Sequence, residues 1–159
     1  MEATTFHATG TTTAVSNATV ETWYDPAQGL HSVVKRNFEV IGRIICRDGV
    51  SATSRSLTSD DPADATDYVL SRVPGGRSRL FTIPVSPGAT LTFGNSGAVD
   101  GTRTDTVNAT TERETALFRV AAEGPPHILR QESTRAHLTA HTDYGDFGKP
   151  VTIPPLPPQ

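Results

Sequence analysis

The chain has 159 residues, a formal net charge of -3 and a hydrophobic share of 35%, which is low for a globular protein. These totals fit one domain with one core and exclude two separate cores of ordinary size. The basic residues are scattered, so the sequence lacks the positive patch that nucleic-acid-binding proteins present to phosphates. No apolar run approaches the roughly 20 residues needed to span a bilayer.

Short strands dominate the predicted secondary structure. Threonine is the commonest residue, and its branched Cβ favours extended backbone. Turn signals such as Asp25-Pro26, Asp48-Gly49 and Asp100-Gly101 recur at short intervals and predict a meander of about eight to ten antiparallel strands. The segments predicted as strands, some of them parts of one bent strand, are 5–12, 14–24, 30–36, 38–47, 50–57, 78–85, 90–93, 102–109, 114–122, 127–135, 136–144 and 151–153.

The segment Phe38–Cys46 carries apolar residues on both of its alternating faces. Such a strand is either central and covered on both sides, or part of a curved sheet whose inner face lines a cavity. Cys46, the only cysteine, lies inside this strand. We interpret it as a small buried apolar residue and not as a lipid-attachment site.

One segment, Pro62–Val73, has the signals of a helix. Asp61 suits the N-cap, Pro62 suits the first helical position, and apolar residues recur at three- and four-residue intervals. The predicted fold class is therefore mainly β: a curved antiparallel sheet, as a half-barrel or small barrel, with this one short helix packed across it. Residues 1–153 are predicted to form the single β-rich domain, and the proline-rich residues 154–159 an extended tail.

No motif commits the chain to a reaction. His137 and His141 have the H-x3-H spacing of zinc proteases, but in a strand they stand roughly 13 Å apart, too far to share a metal. The acidic residues around Asp61 lack the glycine and the closing glutamate of a calcium loop. A nucleophile elbow, a phosphate loop and a dinucleotide fingerprint are also missing, so we predict no catalytic residue, no metal and no cofactor.

The end of the chain carries the most specific signal. A polar strand, Glu132–Tyr144, runs into the turn Tyr144-Gly145-Asp146-Phe147-Gly148 and closes with Pro150-Val151-Thr152-Ile153-Pro154-Pro155. This ending resembles that of exported half-barrel lipid carriers, the LolA and LprG-like lipoproteins of actinobacteria. The similarity is clearest over Thr115–Pro155.

The resemblance implies both a fold and a ligand. Carriers of this family have a convex antiparallel sheet, with helices closing its concave side, and they hold acyl chains in the apolar hollow between. By this analogy Trp23 and the Phe38–Cys46 strand would line the hollow, and the Pro62–Val73 helix would act as its lid. The residues predicted to contact the ligand are Trp23, Phe38, Val40, Ile44, Tyr68, Val69, Phe81 and Phe118. Core filling is the alternative role for each of them, because small barrels are normally filled by side chains.

Three functions stay open at this point. The first is non-catalytic binding of a hydrophobic or lipid-like ligand by an exported carrier or lipoprotein domain. The second is a small β-barrel enzyme of bacterial secondary metabolism, of cyclase type, which catalyses by holding its substrate in a reactive shape. The third is an interaction domain with a filled core.

The beginning of the chain, Met1-Glu2-Ala3-Thr4, lacks the basic and apolar regions of a signal peptide. We therefore expect an exported or cell-envelope protein if a signal segment was removed ahead of Met1, and a cytoplasmic protein otherwise. Arginine outnumbers lysine, and Ala, Thr, Gly and Pro are abundant. This bias is typical of a GC-rich bacterial genome.

Overall fold

The computed structural model describes residues 4–13, 18–55, 68–72, 85 and 88–158. Within them, twelve antiparallel strands form one sheet. The strands are β1 (Phe6–Thr12), β2 (Ala18–Asp25), β3 (Gly29–Arg36), β4 (Glu39–Arg47), β5 (Val50–Arg55), β6 (Tyr68–Arg72), β7 (Thr90–Phe93), β8 (Gly97–Val99), β9 (Thr102–Thr110), β10 (Glu114–Ala121), β11 (Ile128–Arg135) and β12 (Leu138–Gly145). Their order across the sheet is β6-β5-β4-β3-β2-β1-β12-β11-β10-β9-β7, and β8 also pairs with β9.

The sheet is open and uncurled. Its outermost strands, β6 and β7, do not pair with each other in the described part of the chain. The first and last strands, β1 and β12, pair in the middle of the sheet instead, so mid-chain strands form both edges. The prediction of a mainly β, antiparallel fold is confirmed, whereas the predicted curling into a half-barrel or barrel is wrong.

The predicted helix Pro62–Val73 is not supported. Its described part, Tyr68–Arg72, is strand β6 and pairs with β5, while residues 62–67 and 73 lie outside the described residues. The sequence of β6 also suits a strand. Its first residue, Tyr68, packs against Val33 and Val40 of the sheet. Hydrogen bonding to a neighbouring strand here outweighs the local helix signals.

The two faces of the sheet are defined by register, because residues paired across antiparallel strands point to the same side. We call one side the front face; one of its rows consists of Phe6, Tyr24, Leu30 and Cys46. The opposite side is the back face; its adjacent row consists of His7, Trp23, His31 and Ile45.

After β12 the chain folds back across the first strands as an extended tail. The predicted strand 151–153 is wrong, since these residues have no regular structure, although Ile153 is buried with 2% of its surface exposed. Gln28 holds this segment as a neighbouring strand would: its Nε2 donates to the carbonyl of Val151, and its Oε1 accepts from the amide of Ile153. The same Nε2 also donates to Asp25, which orients the amide.

Replacing Gln28 by alanine is expected to release the tail. The change removes three side-chain hydrogen bonds, and we expect a loss of about 1–3 kcal/mol of stability and much faster hydrogen exchange at the Ile153 amide. Lys149→Ala is the matched control, because it removes only an exposed ion pair with Asp146 in the same tail. Unchanged exchange at Ile153 in Gln28→Ala would show that Gln28 does not fasten the tail.

Candidate ligand-binding face

Aromatic rings gather around Phe6 at one end of the front face. The centroid of the Phe6 ring lies 5.2 Å from that of Tyr24, 5.6 Å from that of Tyr144 and 6.4 Å from that of Phe147. Buried Ala8, Leu30 and Cys46 complete this group, which we call the aromatic cluster.

A second apolar group lies on the same face, toward the β7 edge. Ala109, Ala116 and Phe118 are buried there. Half-buried apolar residues surround them, namely Ala89, Val107, Val120 and Ile128. We call this the Phe118 cluster. The apolar face continues to the edge strand, where Leu91 pairs with Ala109 and is 58% exposed.

Between the two clusters the front face is uncharged and only partly covered. One row of paired residues runs from β9 to β4 through Val107, Phe118, Gln131, Thr142, Gly10, Val20, Val34 and Gly42. Val20, Val34 and Thr142 are half-buried, and the two glycines add no side chain. We call this row the central strip. It offers a shallow apolar surface between two packed ends.

Two pairs of polar side chains on the front face bond to each other. The hydroxyls of Thr22 and Ser32 share a hydrogen bond of 2.8 Å, and the Tyr144 hydroxyl donates to Oε1 of Gln131 over 3.1 Å. Burial raises the pKa of Tyr144; burial, together with the charge of Asp25, also raises the pKa of Tyr24. Both phenols are therefore neutral near pH 7. These groups can hydrogen-bond an ester or a hydroxyl, but none of them is an activated base.

Two open depressions in the described part of the chain have mixed polar and apolar linings. The larger, about 750 Å³, lies at the ends of β1, β2, β11 and β12, and threonines line it together with Ala18, Ala140, Glu132 and His141. The smaller, about 350 Å³, lies beside Thr106 and Arg119. None of the predicted ligand contacts that the structure describes lines either depression. Among the described residues, the broad apolar surface is instead the front face.

Comparison with known proteins settles the fold. Neither a family model nor a curated protein matches the sequence. Among solved structures, the Mycobacterium tuberculosis lipoprotein LppX aligns over 94% of this chain and 89% of its own, with 18% identity and a TM-score of 0.58. The chain has the LppX fold. LprF from Mycobacterium bovis aligns over 96% of this chain and 89% of its own, with 16% identity and a TM-score of 0.51.

The resemblance inferred from the sequence is thus confirmed at the level of the fold. The LppX fold in this chain has no helix within the described residues. Accordingly, those residues contain no helix long and apolar enough to cross a membrane.

The residues predicted to contact a ligand fall on different surfaces of the LppX fold. Ile44 packs against the aromatic cluster, and Phe118 is buried in the second cluster, so these two share the front face. Trp23, Val40 and Tyr68 meet on the back face around Val33. Phe38 sits at a hairpin turn with 99% of its surface exposed. Phe81 and the side chain of Val69 lie outside the described residues.

A β-bulge explains why Val40 and Ile44 lie on opposite faces of the sheet. The pairing of β3 with β4 shifts between Val34 and Lys35: Val34 pairs with Gly42, whereas Lys35 pairs with Val40. The extra residue, Ile41, reverses the alternation, so Val40 turns to the back face while Gly42 and Ile44 stay on the front. Simple period-two counting places all three together, which is the source of the error.

Sequence reasoning missed most of the front face. The predicted ligand contacts include neither Phe6 nor Tyr24, nor any of the small residues of the central strip. The available signal was the turn Asp25–Gly29, which fixes Tyr24 opposite Leu30 and hence the parity of both strands. The histidine pair also separates: His137 precedes β12 in a turn, while His141 lies in β12 and bonds to Asp143 over 2.9 Å.

The back face carries a stack of three rings. Trp23 lies between His7 and His31, with ring centroids 5.0 Å and 5.3 Å away. His31 is 9% exposed, and burial, followed by the charge of nearby Arg43, lowers its pKa to about 4. The imidazole is therefore neutral at neutral pH. It contributes packing against Trp23 and leaves this part of the back face sensitive to acid.

Stability is expected to fall as the pH drops from about 6.5 to about 4. In this window the unfolded chain binds a proton at His31 while the folded chain does not, and the shift corresponds to at most about 3 kcal/mol. Urea unfolding between pH 7 and pH 4.5 measures this slope. His31→Gln should flatten it, whereas His137→Gln, at the exposed turn, should not. An unaltered slope in His31→Gln would contradict the assignment.

Proposed function

We propose that this chain binds a hydrophobic, lipid-like ligand on its front face, without catalysis, as the carrier domain of an exported lipoprotein. The observation that supports the proposal most is the central strip. It is uncharged, only half covered, and continuous with an apolar cluster at each end. A sheet face of this kind in a folded protein marks a surface that something else covers.

The dimensions suit an acyl chain. From Phe118 on β10 to Val34 on β3 the strip crosses five strand-to-strand steps, or about 24 Å at the usual spacing. One acyl chain occupies about 15 Å, half of the hydrocarbon core of a bilayer. Burial yields about 25 cal/mol per Å² of apolar surface, so a single chain lying on the strip would gain several kcal/mol without any charged contact.

The uncharged hydrogen-bonding groups suit the polar end of such a molecule. Thr22, Ser32, Gln131 and Tyr144 lie along the strip and carry no charge at neutral pH. They can bond to ester or hydroxyl groups beside the acyl chain. The role as an exported carrier and the bacterial source are proposed by analogy with LppX, a lipoprotein of Mycobacterium tuberculosis with the same fold.

A fluorescent fatty acid tests the proposal. We expect cis-parinaric acid to gain fluorescence and saturate at one or two molecules per chain when titrated into the protein, and oleic acid to displace it. The signal should not depend on added metal or nucleotide. A titration without saturable fluorescence would contradict ligand binding on the front face.

A further inference from the structure

The hairpin between β3 and β4 ends in an exposed aromatic residue with a costly backbone conformation. Asn37 and Phe38 have φ values of 50° and 69°, the signature of a type I′ turn. Asn or Gly normally fills such positions, whereas a bulky residue at positive φ is rare and strained. Phe38 is nevertheless 99% exposed and contributes little to the core. A phenyl ring at this position is therefore better explained by a binding partner than by packing within the fold.

Other anchoring groups lie at the same end of the sheet, which we call the Phe38 end. The turn between β11 and β12 brings Leu138 there, with 38% of its surface exposed. Arg36, Arg113 and Arg135 lie at or beside the turns of this end and are exposed.

Charge pairing differs between the two ends of the sheet. At the opposite end, most cations are held by acids, namely Arg47 by Asp48, Arg103 by Glu123 and Lys149 by Asp146, and among the described residues there Arg72 alone makes no ion pair. At the Phe38 end, Lys35 pairs with Glu21, but Arg36, Arg113 and Arg135 make no ion pair in the part of the chain that the structure describes. Glu39, Glu112 and Glu114 share this end, so its net charge is small. Arg36, Arg113 and Arg135 can nevertheless form ion pairs with anions outside the described part of the chain.

We propose that the Phe38 end docks on an anionic lipid bilayer. Phe38 and Leu138 enter the boundary between headgroups and acyl chains, and the three arginines contact lipid phosphates. The inference rests on the proposed function, because a carrier must meet the membrane that supplies or receives its ligand. Docking by this end brings the ends of the front-face strands against the bilayer.

Vesicle flotation with a matched pair of substitutions tests the role of Phe38. The probe is a vesicle of phosphatidylcholine with about one third phosphatidylglycerol. We expect Phe38→Asn to weaken binding about 10- to 100-fold, the worth of burying a phenyl ring. Asn tolerates positive φ, so the variant should be at least as stable as the wild type. Phe93→Asn is the control, because Phe93 is also exposed, at 89%, but lies on edge strand β7 away from this end.

The arginines provide a second, independent test. Arg36→Gln and Arg135→Gln should each weaken binding to the anionic vesicles about fivefold, and neither should matter with pure phosphatidylcholine. Arg103→Gln, at the opposite end, should bind as the wild type does. Equal binding of wild type and Phe38→Asn, or equal losses in Phe38→Asn and Phe93→Asn, would overturn the proposal.

The two proposals fail separately. Phe38→Asn should still bind cis-parinaric acid, because Phe38 lies outside the central strip. If the wild type binds the fatty acid but no vesicle, membrane docking is wrong and the proposed function stands. If it binds vesicles but no fatty acid, the proposed function is wrong, whereas docking by the Phe38 end is supported.

Discussion

Gly29→Ala is expected to prevent stable folding. Gly29 begins β3 at a φ of 126°, and a Cβ added there would lie 2.0 Å from the carbonyl oxygen of Cys46. The obstacle is backbone of the adjacent strand, so it cannot move away without breaking the pairing of β3 with β4. We expect a loss of at least about 4 kcal/mol, which removes much of the stability of an ordinary domain.

Gly49→Ala is the control for this prediction. Gly49 also has a positive φ, of 77°, but an added Cβ would meet nothing within 4 Å. Only the backbone penalty of about 1 kcal/mol applies there. Urea unfolding followed by circular dichroism compares the two variants. If both lose the same small amount of stability, the close approach of Gly29 to Cys46 is not a constraint of the fold.

Val20→Glu is expected to abolish ligand binding while leaving the protein folded. Val20 is half-buried at the middle of the central strip, where an acyl chain would cover it. Covering a carboxylate with a hydrocarbon chain costs several kcal/mol, so cis-parinaric acid should bind at least about 100-fold more weakly. Acidification should restore part of the binding, because a covered carboxyl group is more easily protonated.

Thr19→Glu supplies the matched control, since it adds the same charge one residue away. Thr19 is exposed and points to the back face. This variant should bind the fatty acid as the wild type does. Loss of binding in both variants would indicate a general effect of charge or stability, and loss in Thr19→Glu alone would place the ligand on the back face.

Strands and turns were predictable from local patterns. Ten of the twelve described strands overlap predicted segments. The reason is that Asp-Gly and Asp-Pro turns and threonine-rich strands depend on only a few neighbouring residues. Edges were not predictable in this way. Tyr68–Arg72 joins the sheet because β5 offers it hydrogen bonds, and no signal within this segment reports that pairing.

The candidate site was harder to predict than the fold. A single bulge at Ile41 sends Val40 to the other face, and a bulge leaves no reliable mark in one sequence. The exposure of Phe38 was missed for a related reason. As the first residue of a predicted strand, Phe38 was assigned to the same sheet face as Val40 and Ile44. The structure instead places it in the turn before β4, with positive φ. Predicted strand ends therefore determine which aromatic residues are assigned to a ligand.

The most direct test of ligand binding is native mass spectrometry of protein purified from its host, followed by denaturing extraction. The account predicts a bound species whose mass matches an acyl or isoprenoid lipid, present in the wild type and absent from Val20→Glu. A clean mass for the chain alone, which no added lipid shifts, would contradict the proposal that the front face carries a hydrophobic ligand.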